Sequence, residues 1–245
     1  MPAVLELRNV SKRFGGLRAV KNVSFDISDG EILFVIGPNG AGKTTVFNLI
    51  SGFLHPEEGS INFLGKDITR LHPHEIARLG VGRTFQIVKP LHTLTVLENV
   101  MLGAFMHTAS PQRAQEEARK ILDFLQMSHL KNAQARGLPL AALKRLEIAR
   151  ALATRPKLIL LDEVVSGLTT GEALALADLI KRLHEWGVSL VGGVEHVMQV
   201  VMKIADRVVV LDYGAKIAEG QPADVVKQPE VIEAYLGAKY KELAR

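Results

Sequence analysis

The chain has 245 residues, of which 47% are hydrophobic and 23% are charged, and this balance excludes an intrinsically disordered protein. The formal net charge is +4, but the basic residues are dispersed and only 5% of the residues are aromatic, so no nucleic-acid partner is expected. No run approaches the roughly 18 apolar residues that span a bilayer, and the absence of cysteine excludes disulfides and thiolate metal sites.

The N-terminal part predicts a small antiparallel layer beside a buried strand. Alternating apolar and polar residues are typical of half-buried strands, which we expect at 4–8, 19–27 and 59–64. The apolar run at 32–36 predicts a strand inside the core over residues 31–36. This strand leads through a glycine-rich loop into a helix predicted at 43–51 and ended by Gly52.

From about residue 91 the pattern becomes helical, and strands return later. Helices are predicted at 98–106, 111–126 and 139–153, the second with Ser110 as its N-cap. Strands are predicted at 157–162, 188–195 and 207–211. A turn at 212–214 then predicts a hairpin with 216–219, and Pro222 and Pro229 indicate two short C-terminal helices.

This order of elements predicts an α/β fold. A mainly parallel sheet with flanking helices is joined by an antiparallel β layer and an inserted helical subdomain. We expect a single domain over residues 1–245. In it, residues 1–86 and 153–245 form the core with its antiparallel β layer, and 87–152 form the helical subdomain.

The glycine-rich loop matches the phosphate-binding pattern G-x-x-x-x-G-K-[ST] at Gly37, Gly42, Lys43 and Thr44. Small residues let successive backbone N–H groups converge on phosphate oxygens, and the following helix adds its positive end. Lys43 is predicted to reach the terminal phosphates, the Thr44 hydroxyl to ligate Mg²⁺, and Thr45 to lie near the first phosphate. The cradle comprises Gly37, Pro38, Asn39, Gly40, Ala41, Gly42, Lys43 and Thr44. The sequence therefore predicts a P-loop NTPase core that uses ATP and Mg²⁺.

Four further side chains are candidates for hydrolysis. Asp162 and Glu163 end an apolar strand, which places them at the ligand edge of an α/β sheet. Asp162 is predicted to hold Mg²⁺ through water, and Glu163 to orient or deprotonate the attacking water. After their strands, His196 is a candidate to sense the γ-phosphate, and Gln86 to contact Mg²⁺ or the attacking water.

Together these motifs resemble the ATPase subunit of an ATP-binding-cassette transporter over nearly the whole chain. The resemblance makes Gly37 to Thr44 the Walker A motif, residues 158–163 the Walker B motif, Gln86 the Q-loop glutamine and His196 the switch histidine. Phe14 matches the aromatic residue that stacks on adenine.

The resemblance also implies the partners and the location. Membrane permease subunits, a second ATPase subunit and, indirectly, a periplasmic or extracellular solute-binding protein are expected. Residues 1–6 lack a secretory-signal layout. The chain is therefore expected to be peripheral, at the cytoplasmic face of the inner (plasma) membrane.

Three segments are closest to the branched-chain amino-acid importer subgroup, namely residues 83–86, 94–100 and 233–237. ATPases of urea or lipopolysaccharide transporters share parts of this pattern. A non-transport ATPase of the same superfamily, a metabolic P-loop kinase and a regulatory subunit with weak catalysis also fit parts of the sequence. A kinase would leave Gln86 and His196 unexplained.

The chain departs from the family pattern at two places. Where most members carry the signature L-S-G-G-Q, this chain has Leu138-Pro139-Leu140-Ala141-Ala142, so it lacks a hydroxyl donor and one close backbone approach. Thr169 stands where the family often has aspartate or asparagine. We therefore expect this chain to work beside a different ATPase chain, whose signature would complete the nucleotide site at Gly37 to Thr44.

The helical subdomain is expected to carry motion from the nucleotide to the membrane partner. Gln86 lies at its hinge. The apolar residues Val88 and 91–100 either line a docking groove or pack into the core.

Overall fold

A computed structural model describes residues 3–85, 90–194 and 198–243. The strands in these ranges are β1 (Ala3–Phe14), β2 (Leu17–Ser28), β3 (Ile32–Ile36), β4 (Glu58–Phe63), β5 (Lys66–Asp67), β6 (Val81–Arg83), β7 (Leu158–Asp162), β8 (Ser189–Val194), β9 (Arg207–Asp212) and β10 (Ala215–Gly220).

The α-helices of the same ranges are α1 (Lys43–Ile50), α2 (Pro73–Leu79), α3 (Val96–Ala104), α4 (Pro111–Phe124), α5 (Leu140–Leu152), α6 (Thr170–Lys181), α7 (Met198–Ile204), α8 (Pro222–Val225) and α9 (Pro229–Leu243). Two short 3₁₀ helices lie at Ser128–Leu130 and Arg182–Trp186.

The strands form two sheets. The larger has six strands in the order β10-β9-β3-β8-β7-β6, and every neighbouring pair is parallel except the edge pair β9–β10. The smaller is antiparallel, in the order β2-β1-β4-β5. The predicted α/β fold, with a mainly parallel sheet and an antiparallel β layer, is confirmed.

Two apolar cores cover the two faces of the larger sheet. Successive residues of a strand point to opposite faces, so Phe34 of β3 packs into one core while Leu33 and Val35 pack into the other. The first core lies against helices α3 to α6. The second lies between the two sheets and contains Phe47 of α1. Burial on both faces explains why β3, β7 and β9 are almost continuously apolar.

The predicted elements are found, with shifted ends. β1 continues to Phe14, well beyond the predicted strand at 4–8, and α3 begins at Val96 because the Thr95 hydroxyl caps it. The second C-terminal helix, Pro229–Leu243, is longer than predicted. Helices α2, α6 and α7 were not predicted. Within the described residues, no helix is both long enough and apolar enough to cross a bilayer.

Candidate functional site

The glycine-rich loop connects β3 to α1 through conformations that require glycine at two positions. Gly37 has φ +149° and Gly42 has φ +103°. A Cβ atom on Gly37 would lie 2.0 Å from the carbonyl oxygen of Leu211, and one on Gly42 would lie 2.4 Å from that of Ala19. The loop therefore packs against β9 and β2 through backbone alone, which leaves no room for a side chain.

Lys43 folds back over this loop. Its side chain is largely buried, and its Nζ donates to the carbonyl oxygens of Gly37 at 2.7 Å and Pro38 at 2.8 Å. The ammonium group is thus held against the backbone of the predicted phosphate-binding loop. An ammonium at this position can form charge-assisted hydrogen bonds with an anion in the loop.

A cavity of about 350 Å³ opens beside the loop. Phe14, Lys43, Thr44 and Thr45 line it, so the structure brings the predicted aromatic residue and the predicted hydroxyls together. Tyr213 lines the same cavity and was missed by the sequence analysis. The signal in the sequence was an aromatic residue in the predicted turn at 212–214. The structure shows that Tyr213 is exposed and has φ +42°.

A buried ion pair fixes Asp162 at the end of β7. Arg83 Nη2 donates to Asp162 Oδ2 at 3.0 Å, and both side chains are less than a tenth exposed. Arg83 Nη1 also donates to Asn48 Oδ1 at 2.8 Å and Ser51 Oγ at 2.6 Å, which ties the end of α1 to β7. Burial lowers the pKa of Arg83, and the hydrogen bond and charge of Asp162 oppose this effect. No pattern in the sequence indicated this role of Arg83, because its partners lie far away in the chain.

Glu163 lies directly after β7 in a left-handed backbone conformation, with φ +47°. Its N–H donates to the carbonyl oxygen of Gly193 at 3.0 Å. Its own carbonyl oxygen accepts from Ser166 N–H at 3.1 Å and from Lys144 Nζ at 3.1 Å. A non-glycine residue in this region is strained, and the surrounding contacts keep it there.

The sheet order brings the predicted segments to one edge. β3 and β7 are separated by β8 alone, and the three strands are parallel. Their carboxyl ends therefore meet at the edge where the phosphate loop and Asp162 lie. His196 follows β8 and Gln86 follows β6, but both lie outside the described residues, so their predicted roles stay predictions.

The N-terminal end of α5 begins at a residue whose side chain cannot cap the helix. Pro139 is its N-cap, one position before the helical turn in which proline was expected, and its side chain makes no hydrogen bond to the N–H groups of the first turn. The next residue, Leu140, is 41% exposed. By contrast, Thr169 caps α6: its hydroxyl accepts from Glu172 N–H and donates to the Glu172 carboxylate.

The apolar stretch at 91–100 mostly packs inside the molecule. Val96, Leu97 and Val100 are buried in the core, whereas Leu91 is 45% exposed. Val88 lies outside the described residues. Core packing therefore explains Val96, Leu97 and Val100.

A second cavity of about 460 Å³ lies away from the phosphate loop, between α2, β6, α3 and α5.

The oxygen ligands at the loop fit Mg²⁺. The exposed Thr44 hydroxyl and the Asp162 carboxylate are hard donors of the kind that Mg²⁺ prefers. Among the described residues, no group of three or more His, Asp or Glu side chains could hold a metal by itself. Mg²⁺ usually takes one or two carboxylate ligands and completes its shell with water and substrate phosphates.

Comparison with known proteins adds to this geometry. The family profile of ABC transporters matches residues 20–166, and that of the branched-chain amino acid ATP-binding cassette transporter matches residues 215–241. A probable branched-chain amino acid transport ATP-binding protein LivG from Archaeoglobus fulgidus is 40% identical, and the alignment covers 98% of each chain.

Two solved structures are similar over most of the chain. The crystal structure of the ADP conformation of an ATP-binding cassette is 35% identical, with a TM-score of 0.88, and covers 97% of this chain and 100% of that one. The dimeric structure of a bacterial ABC transporter cassette is 28% identical, with a TM-score of 0.80, and covers 89% of this chain and 98% of that one. The likeness thus extends over most of the chain.

Proposed function

The chain belongs to the ABC transporter family, and we propose that it is the ATPase subunit that powers the import of branched-chain amino acids. The match of residues 215–241 to the branched-chain profile carries the choice of solute, since it lies outside the part that all ABC transporters share. The name of the Archaeoglobus relative supports the same choice.

Uptake by cells tests the solute. Deleting the gene in its host should abolish the uptake of labelled leucine, isoleucine and valine, and the wild-type gene should restore it. Urea uptake and lipopolysaccharide display should stay normal. Normal leucine uptake with a loss of either of the other two would assign the chain to that transporter instead.

In the proposed nucleotide site, each residue has a distinct role. The backbone N–H groups of Gly37 to Thr44 bind the phosphates, and Lys43 donates to the terminal ones. Thr45 contacts the first phosphate, and Phe14 stacks on adenine. The support is the single cavity that joins Phe14, Lys43, Thr44 and Thr45 beside the loop.

The proposed hydrolytic group is Glu163, which accepts a proton from the attacking water. Asp162, Thr44 and Gln86 would hold Mg²⁺, which when bound offsets the negative charge of the phosphates. Arg83 donates to Oδ2 of Asp162. The other oxygen, Oδ1, is the one proposed to face the ion. His196 contacts the γ-phosphate.

A Glu163→Gln variant tests this assignment in the reconstituted transporter. We expect ATP turnover to fall on the order of 10²-fold, because a general base is removed, while ATP affinity stays within about threefold. Turnover near the wild-type rate would refute the role of Glu163.

We also propose that the transporter contains a second, different ATPase chain. The support is the contrast between a complete phosphate loop and the uncapped segment 138–142, together with the dimeric state of a related cassette. The nucleotide of this chain would face the partner's signature, and the partner's nucleotide would face residues 138–142. Residues 87–152 would transmit the resulting motion to permease subunits, with the chain bound peripherally at the cytoplasmic face of the membrane and a solute-binding protein acting from outside.

The composition of the purified complex tests this pairing. Affinity purification through a tag on this chain, followed by native mass spectrometry, should give one copy of this chain and one copy of a second ATPase. Two copies of this chain would contradict the proposal.

A further inference from the structure

Two buried charges on α5 have no role in the nucleotide site proposed above. Lys144 and Glu147 are three residues apart, which places them on one face of the helix. They are only 3% and 7% exposed. Charged side chains are seldom buried unless specific contacts replace their lost hydration, so the partners of these two residues are informative.

Lys144 contacts the backbone of the proposed catalytic glutamate. Its Nζ donates to the carbonyl oxygen of Glu163 at 3.1 Å. Glu163 has φ +47°, a left-handed conformation that is strained for a non-glycine residue. A donor on this carbonyl therefore helps to fix the direction in which the Glu163 side chain leaves the backbone.

Glu147 contacts the backbone that leads to Gln86. Its Oε2 accepts from Phe85 N–H at 3.0 Å. The two residues before Phe85 hold Asp162: Arg83 through its guanidinium, and Thr84 through its Oγ1, which accepts from Asp162 N–H at 3.2 Å. One face of α5 is thus bonded to the ends of both β6 and β7.

We propose that Lys144 and Glu147 are positioning residues that couple α5 to the two hydrolytic segments of the same chain. α5 begins at the segment 138–142, which faces the partner's nucleotide in the proposed dimer. A shift of α5 therefore moves the Glu163 carbonyl and the Phe85 amide together. This inference rests on the proposed ATPase function, and neither residue touches the substrate.

A purely structural role for the pair makes different predictions. Glu147 and Lys144 attract each other, and the pair could serve only to neutralise two buried charges. The two roles differ in what they affect. A structural pair changes stability and every activity together, whereas positioning residues change turnover and leave ATP affinity intact.

The experiment uses the full chain in its transporter complex. Lys144→Met and Glu147→Met remove the donor and the acceptor but keep the length of the side chain. Lys144→Arg and Glu147→Gln retain them. We expect each Met variant to lower kcat about tenfold, the loss that follows from one charged hydrogen bond, with ATP affinity within about twofold.

The conservative variants should recover kcat to within about threefold, and Arg145→Met on the same helix should leave it unchanged. ATP affinity is measured without hydrolysis, by calorimetry in the Glu163→Gln background. As a second readout, the Phe85 amide should exchange hydrogen at least about tenfold faster in Glu147→Met, because its acceptor is gone.

Three outcomes overturn the inference. These are an unchanged kcat in both Met variants, a loss that the conservative variants do not restore, or an equal loss of kcat and ATP affinity. If a Met variant does not fold, the shorter polar variants Lys144→Gln and Glu147→Asp withdraw the same atoms. An unchanged kcat in those variants also overturns it. Full turnover of Glu163→Gln would refute the proposed function instead.

Discussion

Helices α1 and α5 both begin without a side-chain cap, but their N-terminal ends differ in how tightly the rest of the chain packs around them. The N-caps are Gly42 and Pro139, and neither bonds to the helix through a side chain. At α1, backbone of β2 and β9 closes so tightly around Gly37 and Gly42 that no Cβ fits. At α5, the space around Gly137 is open, and Leu140 is exposed.

The difference shows which helix end the fold constrains by itself. Contacts with the backbone of β2 and β9 fix the geometry of the loop before α1, and these contacts require glycine at positions 37 and 42. At the N-terminal end of α5, Leu138 and Ala142 pack into the core, whereas Pro139 and Leu140 are exposed. A change of side chain at the two exposed positions is therefore expected to cost the fold little.

The largest effect should come from the ion pair beside α1. Arg83→Met leaves the carboxylate of Asp162 buried without its partner, so we expect a loss of about 3–5 kcal/mol in the free energy of unfolding. Arg155→Met, just beyond α5, breaks an exposed pair with Glu117 and should cost less than about 1 kcal/mol. Urea unfolding monitored by circular dichroism measures both. Equal losses would show that the two regions are constrained alike.

A smaller effect is expected from adding one methyl group at each helix end. Gly42→Ala forces a Cβ against the carbonyl of Ala19, so it should cost about 2–4 kcal/mol and weaken ATP binding. Gly137 also has a positive φ, +91°, but meets nothing within 4 Å. Gly137→Ala should therefore cost only about 1–2 kcal/mol and leave ATP affinity unchanged. Thermal unfolding and calorimetric titration with ATP compare the pair, and an undisturbed Gly42→Ala protein would contradict the close packing.

Restoring a side-chain cap at the N-terminus of α5 should raise the stability of the protein modestly. Pro139→Ser supplies a hydroxyl that can accept from a free N–H of the first turn, which is worth about 1 kcal/mol. For a chain of this size that gain raises Tm by about 2–4 °C. Ser110→Ala at the capped end of α4 is the matched control and should lower Tm by a similar amount. No rise in Tm for Pro139→Ser would mean that the N–H groups already have partners.

The smallest effect concerns pH, at the capping boxes of α3 and α6. Hydrogen bonds from Thr95 and from Thr169 lower the pKa values of Glu98 and Glu172 below their ordinary value of 4.5. A carboxylate with a lowered folded pKa stabilises the protein above its unfolded pKa, and this contribution is lost as the pH falls through the folded value. Glu98→Gln and Glu172→Gln should therefore flatten the decline of Tm below about pH 4.5. If Tm of the two Gln variants declines as steeply as that of the wild type, the two carboxylates are not the cause of the decline. As a control, Pro139→Ser should leave the pH dependence of Tm unaltered.

Local patterns predicted much of this molecule. The apolar runs at 31–36 and 157–162 gave β3 and β7, and Ser110 marked the start of α4. Helix α6 was missed although Thr169 and Glu172 carry the capping-box spacing, a signal that was available in the sequence. The predicted roles of Gln86 and His196 concern residues outside the described ranges and stay predictions.

The sequence by itself determined the phosphate loop and the Asp162-Glu163 pair, because each motif is local and needs only a strand and a turn to present it. The tertiary structure alone decided that Arg83 binds Asp162, that Tyr213 shares a cavity with Phe14, and that α5 bonds to Glu163 and Phe85. These contacts join residues 19 to 199 positions apart, from Lys144 and Glu163 to Phe14 and Tyr213. No period or spacing along the chain encodes such contacts, because only the packing of the two sheets and of α5 brings the residues together.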